Sequence, residues 1–151
     1  MSGSRYSIAL DEGRRGLDSQ IDDLKGTRDR ATAFLGVAGV AAAFLGGLRG
    51  DRPLGVATWV AVLAFLLVAA FTVMTLWPRE MTVVQRPTTI VGWADDETNS
   101  TDDMERDLAL HMSGHFDTNE RTLDRLHKVT ALGAVALLVE VTALVFDLGR
   151  L

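Results

Sequence analysis

Leu54-Gly-Val-Ala-Thr-Trp-Val-Ala-Val-Leu-Ala-Phe-Leu-Leu-Val-Ala-Ala-Phe-Thr-Val-Met-Thr-Leu-Trp77 is a run of 24 residues without a charge, and its reading decides the fold. A bilayer's hydrocarbon core of about 30 Å takes roughly 17 to 25 helical residues to cross. Trp59 and Trp77 lie 18 residues apart, about 27 Å of helix, and tryptophan collects at the two membrane–water interfaces. Pro78 follows at once and stops the helix. The stretch therefore reads as a membrane span with both ends marked.

Two further stretches have similar character: 31–48, with 18 residues and no charge, and 129–146, with 18 residues and one acid, Glu140. In the first, Ala38, Ala42 and Gly46, and likewise Gly39, Ala43 and Gly47, recur every fourth residue, the small-residue pattern that lets membrane helices approach closely. The connector Arg49-Gly50-Asp51-Arg52-Pro53 is short enough to force an antiparallel hairpin. The first apolar stretch follows 30 polar residues, so it reads as a retained anchor and not a cleavable signal peptide. The 151 residues are 48% hydrophobic and 23% charged, enough for one core, and the segregation of those classes excludes a soluble globule.

Charge lies outside the apolar stretches. Residues 1–30 hold 6 basic and 6 acidic residues, 78–128 hold 6 and 11, and the net charge is -5. That balance excludes generalised nucleic-acid binding, which needs a cationic surface. With no cysteine in the chain, disulfides, thiolate metal sites and cysteine nucleophiles are excluded too. Arg28, Arg30, Arg79, Arg125 and Lys128 flank one side of the membrane and Arg49, Arg52 and Arg150 the other, so the amino terminus is expected in the cytoplasm and the carboxyl terminus outside.

Two polar helices lead into spans one and three. Leu10, Arg14, Leu17, Ile21, Leu24, Arg28 and Ala31 alternate at heptad spacing, as do Ala109, Met112, Phe116, Asn119, Leu123, Leu126 and Thr130. Helices over 5–30 and 104–128 would be about 39 and 37 Å long, a match expected of one parallel stalk. Between them, Met81–Gln85 and Thr88–Val91 have strand-like composition with a turn at Arg86-Pro87, and 95–103 is an acidic loop ending in Thr101 or Asp102 as helix cap. The expected fold is all-α: three transmembrane helices, with a cytoplasmic two-helix stalk continuing spans one and three. Its segments are a stalk helix over 1–30, a transmembrane hairpin over 31–77 with spans 31–48 and 54–77, a cytoplasmic linker over 78–103, a second stalk helix over 104–128, and a third span with the C-terminus over 129–151.

Glu140 is the sharpest candidate. Extending the second seam from Thr130 gives Gly133, Leu137, Glu140, Leu144 and Asp147, so the carboxylate faces other helices. An acid at mid-membrane costs on the order of 2.5 to 3.5 kcal/mol and marks bundle interiors or hydrated paths. At its height the other spans offer Ala42 and Phe65, with no basic residue in any span. Two readings stand: a protonated Glu140 bonding a backbone carbonyl within one subunit, or a pore-lining Glu140 forming an acidic ring between subunits. On the stalk, Asp107, His111, His115 and Asn119 form an i, i+4 polar stripe. Two imidazoles without a third ligand make a solvated or interhelical polar face the expectation, and no metal or other cofactor is called for. Asn119 reads as a register-setting polar residue and Arg14 as a seam arginine that snorkels or pairs with an acid. The catalytic patterns of phosphate loops and nucleophile elbows are absent, so no enzyme is expected.

Asp22-Asp-Leu-Lys-Gly-Thr-Arg-Asp-Arg-Ala-Thr-Ala-Phe-Leu-Gly36, before and into span one, and Asn119-Glu-Arg-Thr-Leu-Asp-Arg-Leu-His-Lys128, before span three, carry a resemblance in layout. The chain resembles the small transmembrane effectors of bacterial anti-phage signalling, the Pycsar transmembrane effectors and the broader SLATT effectors. A third span departs from the two typical of SLATT proteins. The resemblance implies a homo-oligomer in the inner membrane that permeabilises it when a cyclic or oligomeric nucleotide from a neighbouring synthase, or a partner protein, acts on the cytoplasmic part. It transfers no ligand-binding residue. The competing class is a non-conducting, membrane-anchored interaction protein that recruits a cytoplasmic partner.

Overall fold

The computed structural model describes residues 6–49, 55–79, 81, 90–92, 95 and 100–149, without the side chains of Leu45, Leu48 and Arg49. The described residues are helical, with no strand. Three helices carry the fold: α1 (Ser7–Arg49, 43 residues), α2 (Val56–Leu76, 21 residues) and α3 (Thr101–Leu148, 48 residues). Both α1 and α3 run without a break from polar into apolar sequence, as the absence of proline permits. Helix α2 ends where Pro78 forces Trp77 into extended backbone (φ -53°, ψ 130°), the Trp77 N–H still donating to the Val73 carbonyl at 2.9 Å.

The chain divides into two compact units, residues 1–24 with 79–124 and residues 25–78 with 125–151. In the first, Leu10 and Leu17 of α1 form a core with Met112 of α3, flanked by Leu108. The Gln20 Nε2 donates to the Phe116 carbonyl at 3.0 Å, so the two segments run parallel. Their approach is close because Gly13 and Gly16 face Met112 and Phe116: a Cβ on Gly16 would lie 3.1 Å from the Phe116 ring.

This pairing corrects the α1 seam. Gly13, Leu17 and Gln20 face inward, whereas Arg14 and Ile21 are exposed. The arginine side chain is 60% exposed and lies 3.7 Å from Asp11. Spacings of 4-3 and 3-4 fit the apolar residues equally. The small and amide side chains won because they allow close approach without burying a guanidinium. On α3 the expected seam holds at Met112, Asn119 and Leu123, whereas Phe116, expected on it, is exposed.

In the second unit α2 runs antiparallel to α1 and α3. Ala38, Val68 and Ala136 pack together among Phe34, Phe65, Phe71 and Leu137, and Ala61 packs with Leu144. Thr27 and not Arg28 is the buried residue of its α1 turn. Burial is inverted relative to a soluble bundle. The inward face of α2 is Thr58, Ala61, Ala64, Val68, Thr72 and Thr75, while Trp59, Leu63, Leu66, Leu67 and Val73 are exposed. Leu132, Val135, Leu138 and Val145 of α3 and Val37, Val40 and Phe44 of α1 are exposed likewise. Helix α2 and a stretch of α3 are long and apolar enough to cross a membrane, and only 28% and 33% of those stretches are buried.

The linker differs from expectation where it is described. Ile90 and Val91 are helical, the Val91 carbonyl accepting from Asp95 at 2.9 Å, instead of extended. The turn at Arg86-Pro87 lies outside the described residues, as do most of the strand-like segments and 96–99. Ser100, not Thr101 or Asp102, caps α3: its hydroxyl accepts from the Asp103 N–H at 3.2 Å and donates to the Asp103 carboxylate at 2.6 Å, a reciprocal cap built on the i, i+3 spacing.

Candidate functional site

Glu140 occupies the inward seam of α3 in the second unit and is 1% exposed. It lines a partly open pocket of about 100 Å³ together with Ala42 of α1, Ala61, Val62 and Phe65 of α2, and Leu144, with Val62 exposed at the rim. Neither carboxyl oxygen has a hydrogen-bond partner, so the bond to a backbone carbonyl expected of a structural Glu140 is not formed. An unpartnered buried polar group is destabilising by about 1–3 kcal/mol, more when charged. The residue also lies inside the single-chain bundle, so an acidic ring between subunits would require the helices to part.

Other polar groups of this unit lie on all three helices, and those of α2 form the largest set. Thr58 donates to the Asp147 carboxylate at 3.1 Å. Thr72 donates to the Ala31 carbonyl at 3.1 Å, and Thr75 lies 3.4 Å from the Thr130 hydroxyl while bonding the Phe71 carbonyl. Thr27 is buried with no partner for its hydroxyl. Threonine hydroxyls bridging helices supply polar adhesion where both surroundings are apolar. Their signal was legible: Thr58, Thr72 and Thr75 fall on one helical face, spaced 14 and 3 residues apart.

In the first unit the polar stripe does not converge. Steps of four residues turn about 40° beyond a full circle, so the stripe winds from exposed Asp107 and His111, through half-buried His115, to buried Asn119. The His111 Nδ1 bonds the Asp107 carbonyl of its own helix at 2.9 Å. His115 Nε2 is buried without a partner. No group of three metal-ligating side chains occurs among the described residues. Arg14 stands apart on α1, beside Asp11. A groove of about 490 Å³ is lined by Ala9, Gly13, Gly16, Ala109, Met112 and Phe116, among others.

Compared with known proteins, the chain matches no protein-family profile, no curated protein and no solved structure.

Proposed function

We propose that the chain is a bacterial inner-membrane effector of anti-phage defence that permeabilises the membrane in response to a nucleotide or partner-protein signal. The observation that carries this reading is Glu140: a carboxyl sealed without a partner among apolar helices has no stabilising task in the closed bundle and becomes useful once water reaches it. The inverted burial of the second unit supports membrane residence, since large apolar side chains face outward and threonines inward. Spans at 31–48, 54–77 and 129–146 then cross the bilayer, with the first unit cytoplasmic. A signal read there reaches the spans through α1 and α3, each continuous across both units. Several copies assemble, and the effector performs no catalysis.

The test is ion release from liposomes containing the purified full-length chain, with a panel of cyclic mononucleotides and cyclic dinucleotides added. One class should raise release at least tenfold, and Glu140→Gln should change that release while leaving insertion and oligomer size unaltered. No response to any nucleotide would favour a protein signal, and wild-type liposomes that stay tight even when the chain is overexpressed to toxicity in cells would remove the permeabilising reading. One observation favours a non-conducting anchor: exposed Ile8 and Leu110 accompany the groove of the first unit, a surface suited to a cytoplasmic partner.

A further inference from the structure

The interior of the second unit is ordered by polarity along α2. At one end Thr58 bonds Asp147. About one turn on, Ala61 and Phe65 face Glu140 across its cavity. Next comes an apolar layer of Ala38, Val68 and Ala136. Beyond it Thr72 bonds Ala31, Thr75 meets Thr130, and Thr27 lies one turn before Ala31 on α1 with its hydroxyl unpartnered. The ends of this file, Thr58 and Thr75, lie 17 residues apart on α2, about 26 Å of helix, close to the thickness of a hydrocarbon core of about 30 Å.

We infer that this file is a water and proton path inside each single chain, loaded at Glu140 from the Thr58–Asp147 end and shut by the Ala38–Val68–Ala136 layer. The inference rests on the permeabilising reading above and places the path within the protomer, not between subunits.

The cavity accounts for the ligand class. A buried water needs polar partners and occupies about 30 Å³ of liquid, so the pocket of about 100 Å³ has room for two or three molecules, which meet the buried carboxyl oxygens once the helices around Glu140 loosen. A hard metal cation is a poor fit, because it takes six or more oxygen ligands and the lining offers only the one carboxyl. The groups facing Glu140 are Ala42 from α1 and Ala61, Val62 and Phe65 from α2, none of them charged. The next acid on α3, Asp147, is held by Thr58.

Chemically the carboxyl relays. One of its oxygens accepts a proton from a hydronium ion in the cavity, which becomes water, and the proton already on the other oxygen passes to a water on the far side, which becomes hydronium, leaving the carboxyl protonated as before. Transfer past Val68 requires that layer to hydrate, as apolar constrictions do when they open.

The experiment uses the full-length chain in liposomes that hold a pH-sensitive dye or, separately, a large quenched dye. Val68→Ser makes the layer polar and should raise proton entry at least tenfold without releasing the large dye. Adding Glu140→Gln to it should return proton entry to within twofold of wild type. A double variant as leaky as Val68→Ser, or unchanged proton entry in a Val68→Ser protein of normal size and helicity, would overturn the path. Release of the large dye in step with protons would overturn it too while leaving the permeabilising reading standing, since that points to an opening between subunits. A second measurement does not depend on Val68. The chain has 0 cysteines, so Ala61→Cys, facing the cavity, and Leu63→Cys, facing outward, each carry a single thiol. A small charged thiosulfonate should modify Ala61→Cys at least tenfold faster, and equal rates would show a dry cavity and overturn the inference.

Discussion

Glu140 is a residue that breaks the rule its neighbours obey. Buried polar groups are normally paired, and the α2 threonines are, Thr58 with Asp147, Thr72 with Ala31 and Thr75 with Phe71 and Thr130, while the Thr27 hydroxyl of α1 shares the exception. Replacing the carboxyl by a side chain of matching shape and no polarity therefore removes a penalty. Glu140→Leu should raise the stability of the detergent-solubilised chain by about 1–3 kcal/mol while abolishing triggered ion release. Lost stability in a thermal melt would mean that the carboxyl holds the bundle together. Asp103 behaves in the opposite way. The Ser100 hydroxyl, and after it the Ser100 N–H, hold its carboxyl below the ordinary carboxylate range, with Arg106 adding to the effect against a small opposing desolvation. A depressed folded-state pKa stabilises above the unfolded value, about 3.9, and is lost as pH falls through the folded value. The first turn of α3 should thus stay ordered at neutral pH and fray in acid, read as faster amide exchange at Asp103. Fraying at the same pH in Asp103→Asn would show that the cap does not depend on the charge.

At the scale of the helix, the readable elements were those whose pattern had a single solution. On α3 the large residues Met112, Leu123, Leu126 and Leu144 pin the inward face, and Asn119, Thr130 and Glu140 fall on it by spacing alone. On α1 the pattern had two solutions, because Leu10, Leu17, Leu24 and Ala31 belong to both registers. The deciding residues were Gly13 and Gln20, whose value lies in how near α3 can come, a property of the pair and not of α1. Helix α2 was readable as an element, and its face is marked only by Thr58, Thr72 and Thr75, a signal that the uniform hydropathy of its other residues outweighs. The corrected register makes a direct forecast. Leu17→Ala, at a 2% exposed position, should cost about 2–5 kcal/mol. Arg14→Ala should change stability by less than about 0.5 kcal/mol, as exposed substitutions do. Chemical denaturation of the two variants measures both, and equal losses would restore Arg14 to the seam.

For the whole molecule, the two ways of arranging polarity divide the labour. The first unit buries Leu10, Leu17 and Met112 and exposes charge, as a water-facing helix pair does. The second buries threonine, alanine and glutamate and exposes leucine, valine and tryptophan, as a lipid-facing bundle does. Under the proposed function the border between these two chemistries is the membrane surface on the cytoplasmic side, and α1, α2 and α3 each cross once. Positive residues at 28, 30, 79, 125 and 128 against those at 49, 52 and 150 favour, under that proposed function, a cytoplasmic amino terminus. Topology mapping with paired reporters, active only in the cytoplasm or only outside it, tests that arrangement most directly. A fusion within 95–103 should report cytoplasmic and a fusion after Leu151 extracytoplasmic; both fusions reporting from one side would contradict three spans and with them the proposed effector.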